Sequence, residues 1–286
     1  MQKHKIALIT DSTNDLPQAL RVQYAISVVP LTIVWGGQPY LDGVDLQAED
    51  FYKRLAVDPD HPTTSQPSPG DFLKAFEKVK KEGAEGIVVI TISSAMSGTM
   101  ESARSAAQNF NIPVHIIDSR SNSMSLGWQL LACARAREAG ADVSGIIAAA
   151  EAVRTQSHYH IVLDTMEYLF KGGRIAGAAK FLNSVLKVKP QIRVNHQSGL
   201  VEPIDISRTR AKALESLYSG FFKKLDTSRT MRIAVLHNNA LEEAQSLADK
   251  IIAEFKPVEL IIGIVSPVLG VHTGPRAIAL CGYSEA

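Results

Sequence analysis

The feature that most limits how this chain can fold is an alternation. Short apolar runs rich in β-branched residues are separated by stretches with helical spacing. KIALIT near the start, then GIVVITI and VHIID, have the length of buried strands, and helical patterns cover residues 72–81, 98–109 and 126–139. Strands that alternate with helices in this way build a mainly parallel sheet covered on both faces.

The second half reads differently. HYHIVLDT is followed by the loop KGGRIAG and the helical stretch AAKFLNSVLK. QIRVN and LVEPIDI then read as two strands joined by a short turn containing Gly199, an antiparallel signal. MRIAVLHN, the amphipathic LEEAQSLADKIIAEF and VELIIGIVSP complete this half. A change of character near residues 153–158 divides the chain into an N-terminal α/β domain, residues 1–155, and a C-terminal α/β domain, residues 156–286, with a mixed or antiparallel sheet.

Composition removes several function classes. Thirty Lys and Arg against 29 Asp and Glu leave a formal charge of +1, so overall charge supplies no affinity for nucleic acid or a membrane surface. Cys133 and Cys281 share no local motif, which argues against a disulfide framework or a cysteine metal site and fits a reducing, cytoplasmic setting. MQKHKIALITDST reads as a first strand rather than a signal peptide, and no stretch has the length of a membrane span.

Two hydroxyl-rich stretches stand before helices. In TTSQPSPGDFLKAF, Ser68 suits the N-cap, Pro69 the first helical position and Asp71 the third. Thr63, Thr64 and Ser65 bring hydroxyls that this cap does not need. The second stretch, SSAMSGT, leaves GIVVITI with Ser93, Ser94, Ser97 and Thr99, and Gly98 permits close backbone approach. A helix N-terminus carries unpaired N–H groups and a partial positive charge. Two such starts without lysine suit a carboxylate better than a triphosphate.

Other chemistries are absent or weak. There is no phosphate loop ending in Gly-Lys-Ser/Thr, and no Gly-x-Gly-x-x-Gly follows the first strand. Ala95 stands where a nucleophile elbow needs its leading glycine. His158 and His160 fall on one face of a strand, but with no third ligand nearby a structural role is expected, and no metal site is assigned.

DSTNDLP, TTSQPSPGDF, ISSAMSGT, LFKGGRI and VHTGP, in this order and spacing, resemble the DegV family. LDGVDLQAEDFYKRL and VEPIDISRTRAKAL extend the resemblance over nearly the whole chain. It implies a two-domain α/β fold that holds one long-chain fatty acid in a tunnel between the domains, with no cofactor and no catalytic residue of its own. Members studied in Gram-positive bacteria serve as the fatty-acid-binding subunit of fatty acid kinase: a separate ATP-using kinase subunit phosphorylates the carboxylate, and the acyl phosphate passes to phospholipid synthesis. By this resemblance Thr64 and Ser97 hold the carboxylate, Ser65, Ser93 and Ser94 add hydroxyls and backbone donors, and His272 steadies the head group as imidazolium. Arg174 lies near the head-group opening, and Arg208, Arg210 and Lys212 mark the kinase-docking face. Arg276 replaces the family's usual glycine, where it either restricts the backbone or adds a second anchor near the head group.

Tunnel walls are expected from residues 28–35, 181–186 and 261–270, whose sequences do not differ from ordinary core. A monomer is expected. Two other functions fit the same residues: a carrier of a different apolar carboxylic acid, or an enzyme using Ser97 or His272 on a small carboxylated or phosphorylated substrate.

Overall fold

The computed structural model describes residues 4–174 and 188–285. In chain order, β1 (Ile6–Asp11) leads through a short 3-10 turn to α1 (Gln18–Gln23), β2 (Ile26–Val29), β3 (Thr32–Trp35) and β4 (Gln38–Leu41). Next come α2 (Ala48–Leu55), β5 (Thr63–Ser65), α3 (Pro69–Lys81), β6 (Gly86–Thr91) and α4 (Thr99–Ala107). β7 (Val114–Asp118), α5 (Ser123–Glu138) and α6 (Val143–Gln156) precede β8 (His158–Val162) and α7 (Glu167–Gly172). The helical stretch expected at AAKFLNSVLK lies outside the described residues. The chain resumes with β9 (Lys189–Val194), β10 (Val201–Ser207), α8 (Arg210–Phe222) and β11 (Met231–His237). It ends with α9 (Leu241–Phe255), β12 (Glu259–Ile264), α10 (Pro267–Thr273) and β13 (Ile278–Ser284).

Three sheets organise these elements. The first, in order β2-β1-β6-β7, is parallel throughout, and every residue of β6 is buried, as an apolar run without alternation requires. The second has the order β10-β9-β8-β13-β11-β12 and is antiparallel except between β11 and β12. The third is a small antiparallel sheet, β4-β3-β5.

Four expectations change. Thr63–Ser65 is not a free run of hydroxyls but a strand, pairing with β3 from Thr32 to Val34. Residues 28–35 are not one segment: Pro30 separates β2 of the parallel sheet from β3 of the small one. The sequence reading assigned no strand after VELIIGIVSP, yet β13 is fully buried and lies within the second sheet between β8 and β11. The helix expected over residues 126–139 begins at Ser123, because α5 is buried nearly all round and its first turn is covered too.

That burial positions everything else. One continuous hydrophobic cluster runs from Leu8 on β1 and Ile90 on β6, through Trp128 and Leu131 on α5, to Ala279 and Cys281 on β13. The Trp128 and Tyr283 rings meet edge to face at 6.0 Å. Asp15 ties the two sheets again, accepting from the Ser123 hydroxyl and from the Ser266 amide just before α10. On the outer faces, Phe72 and Phe76 of α3 cover the first sheet, and Leu217 and Phe221 of α8 cover the second. Each such fully buried side chain contributes about 1.5–3 kcal/mol.

Candidate functional site

Between the two large sheets lies a cavity of about 610 Å³. It opens where β1 and β6 end, the usual ligand side of an α/β sheet, and continues against β8, β9 and β13. Its two ends differ in chemistry.

The polar end is built from long-range neighbours. The Thr64 hydroxyl on β5 lies 3.0 Å from His272 Nε2 on α10, and both line the cavity. Opposite them, Ser97 lies 2.8 Å from the Thr99 hydroxyl and accepts from the Thr99 amide at 3.4 Å. Gln66 reaches across to donate to Ser102 at 3.3 Å. Glycine at residue 98 leaves the Gln66 amide its place, since a Cβ there would sit 2.4 Å from Gln66 Oε1. Ser65 and Arg174 also line the cavity, and Arg174 donates to the Gly172 carbonyl at 2.7 Å where Gly173, at φ 64°, ends α7.

Only one of the two helix starts faces this space with free capacity. α4 begins after Gly98 with no side-chain cap of its own. α3 is closed by a reciprocal capping box between Ser68 and Asp71, so its first donors are taken and a carboxylate already occupies its end. Thr64 therefore acts from a strand and not from a helix terminus.

Two of the expected hydroxyls are engaged elsewhere. Ser93 is buried and donates to the Gly199 carbonyl at 2.8 Å, pinning the β9–β10 turn from outside the cavity lining. Ser94 lines the cavity, but its hydroxyl donates to Asp118 at 2.6 Å.

His272 is a neutral imidazole near neutral pH. Burial first, then the Arg174 and His61 charges, lower its pKa to about 4, and its Nδ1 is buried without a partner. A neutral ring still donates or accepts at Nε2, and an arriving anion would raise its proton affinity.

Arg276 lies off the cavity lining. Its backbone takes φ 61°, the left-handed region that glycine favours, and its guanidinium stands 3.9 Å from Glu243. Arg210 grips the same carboxylate with two bonds of 3.0 and 2.8 Å, while Arg208 is exposed. The structure thus shows a left-handed backbone at Arg276 and a guanidinium turned toward Glu243.

The apolar end is lined by Leu31, Val265, Val268 and Leu269 from two of the expected stretches; residues 181–186 lie outside the described residues. The sequence reading missed Ile161 on β8, Ile192 and Val194 on β9, Val201 on β10 and Ala279 on β13. Period-two alternation in HYHIV was the available signal, with Tyr159 and Ile161 on one face and the histidines on the other. Among the described residues, no group of three His, Cys, Asp or Glu side chains is placed to hold a metal, and no helix is long and apolar enough to cross a membrane.

A cavity between two large sheets, apolar at one end and lined at the other by neutral hydroxyls and one imidazole, has the two-ended chemistry of a site for an amphiphile. The chain belongs to the DegV family: residues 5–285 match the family model described as "Uncharacterised protein, DegV family". It is 33% identical to a DegV domain-containing protein of Halalkalibacterium halodurans, over 98% of this chain and 99% of that one. The fold superposes on that of Bacillus subtilis DegV, described as a fatty acid binding protein, with a TM-score of 0.90 at 30% identity, covering 99% of this chain and 100% of that one. A Thermus thermophilus DegV family protein, described for its fatty acid binding, superposes with a TM-score of 0.89 at 30% identity over 98% of this chain and 100% of its own.

Proposed function

We propose that this protein binds one long-chain fatty acid and presents its carboxylate to a separate fatty acid kinase subunit, for delivery of the acyl phosphate to phospholipid synthesis. The observation that carries the reading is that one cavity joins Thr64, Ser97 and His272 at one end to the inward faces of β8, β9 and β13 at the other. A carboxylate taken from water must keep its oxygens hydrogen-bonded, and hydroxyls with a neutral imidazole meet that need without fixing a permanent ion pair. The hydrocarbon tail contributes about 0.8 kcal/mol for each buried methylene, on the order of 10 kcal/mol for a long chain before the costs of ordering it.

Arg174, at the mouth, is suited to meet a phosphoryl group bidentately once it is formed. Arg208, exposed at the start of α8, supplies the outer charge of the docking face, with Arg210 held behind it by Glu243. The division of labour follows the two sheets: residues 1–155 supply the hydroxyl loops, and residues 156–286 complete the acyl wall and carry His272. We place the protein in the cytoplasm as a monomer.

The alternative enzyme reading gains little support. The hydroxyl beside His272 is that of Thr64, and Ser97 pairs with Thr99, so no serine–histidine pair is formed. The decisive experiment is denaturing mass spectrometry of lipid extracted from freshly purified protein. A near-stoichiometric fatty acid, depleted in Ser97→Ala, supports the reading. A protein that stays empty after incubation with fatty acids refutes it, and so does sustained ATP consumption by the isolated chain.

A further inference from the structure

The acyl cavity leaves His158 and His160 unused. On β8, Tyr159 and Ile161 turn toward that cavity, so the alternation of the strand sends the two histidines to the opposite face. There a second cavity of about 300 Å³ opens at the β9–β10 turn. His158, His160, Arg193, Asn195, His196 and Lys224 line it, and none of its lining residues is acidic.

Its polar groups are poorly satisfied. His160 is only 5% exposed, rests edge-on against Phe221 at 6.0 Å, and among the described residues has no hydrogen-bond partner at Nδ1. A buried polar atom left unpaired costs about 1–3 kcal/mol, a cost that a ligand can remove. Arg193 is matched by Glu202 at 2.9 and 3.1 Å. Lys224, exposed just beyond α8, has no carboxylate within ion-pair distance among the described residues, so it is the uncompensated charge at the rim. Three histidines line the recess, yet among the described residues no three His, Cys, Asp or Glu side chains are placed to share a metal ion.

We propose that this second cavity binds a small oxyanion of the phosphate or sulfate class, with Lys224 supplying the charge and the His158 and His160 rings supplying N–H donors. The site is distinct from the acyl cavity and does not rest on the fatty acid reading.

Binding is coupled to protons. The groups around these rings are His158 and His160 on β8, Arg193 on β9, His196 in the turn, Lys224 after α8, Arg154 on α6, and the opposing Glu202 on β10. Burial first, and then these cationic neighbours, lower His160 and His196 to about 4, so both rings are neutral near neutral pH. An anion among them reverses the local field and favours the protonated ring. Affinity therefore rises as pH falls, with proton uptake on binding.

The test is calorimetric titration with sulfate, whose charge stays constant while a phosphate's does not, at about pH 5 and about pH 7, above the lowered pKa of the free rings and across the range into which a bound anion raises it. Repeating it in buffers of different ionisation heat counts the protons. The expected result is one saturable site, on the order of tenfold tighter at the lower pH. Lys224→Ala, a surface change that leaves melting unaltered, should weaken it by on the order of tenfold. His160→Asn should remove the proton uptake. Titrations with inorganic phosphate and with methyl phosphate then separate a free anion from a phosphate ester as the natural occupant. Absence of saturable binding at either pH, or an affinity unchanged by Lys224→Ala, overturns the proposal.

Discussion

The Thr64 hydroxyl lies 3.0 Å from His272 Nε2, although 208 residues separate them in the chain. Thr64 belongs to the small sheet beside β3, and His272 to α10, whose start is held by Asp15 and Asp42. The contact thus joins β5 to α10 at the polar end of the cavity, where the fatty acid reading puts the head group. Thr64→Val keeps the shape and the β5 pairing but removes the hydroxyl. It should weaken fatty acid retention by on the order of tenfold, since a buried acceptor loses a donor. Competition against a fluorescent fatty acid measures this, and an unchanged affinity would mean that the carboxylate does not reach Thr64.

Asp42 sets a pH dependence that runs against the usual acid denaturation. Its carboxyl is buried and accepts from the Val268 amide at 3.2 Å. Burial, with Asp15 and Asp11 adding to it, raises its pKa from 3.8 to about 7. Between these values the folded state binds the extra proton, so this group favours folding at the acidic side and loses that contribution as pH rises through about 7. Asp42→Asn removes the dependence. The stability difference, variant minus wild type, should grow as pH is raised from about 5 to about 8 in chemical denaturation; parallel curves would show that Asp42 ionises normally.

Arg276 is strained where glycine would rest. Arg276→Gly should stabilise the fold by about 1 kcal/mol, the cost of a left-handed backbone for a residue with a Cβ. Fatty acid affinity should stay within a few-fold, because the side chain reaches Glu243 and not the cavity. A lower melting temperature would reveal that the long contact to Glu243 outweighs the backbone strain.

Ser93 and Gly199 form a structural pin. A Cβ on Gly199 would lie 2.2 Å from Ser93 Oγ, at a φ of 72°. Gly199→Ala should therefore destabilise by about 2 kcal/mol or more, through overpacking and left-handed strain together. Ser93→Ala should cost only about 1 kcal/mol and leave ligand affinity unchanged. Thermal melts and the same competition assay distinguish this from a carboxylate-binding role for Ser93.

What the sequence disclosed followed the range of the forces involved. The Ser68–Asp71 capping box was legible because all its atoms lie within one turn, and β6 because a run buried on both faces has no polar side. β5 was not, since three hydroxyl residues become a strand only through their pairing with β3. β13 was missed for a related reason: ending in Cys-Gly-Tyr-Ser, it looks weak alone and is made a strand by β8 and β11 on either side. The candidate site residues Thr64, Ser97, Arg174 and His272 came through family resemblance, and all four line one cavity. The charge state of His272 did not come that way, because burial and the neighbouring Arg174 decide it.

The alternation along β8 also bears on how this lineage can change. Its even and odd positions serve an imidazole-lined recess and a hydrocarbon wall, so slipping the strand by one residue would exchange the two linings wholesale. Point substitutions on β8 alter one lining at a time, whereas a single-codon insertion or deletion would ruin both at once. The second sheet does admit irregularity, but at its margin, where the register of β10 shifts between Pro203 and Asp205. Length variation among descendants of this chain should accumulate along that border and spare the five residues from His158 to Val162.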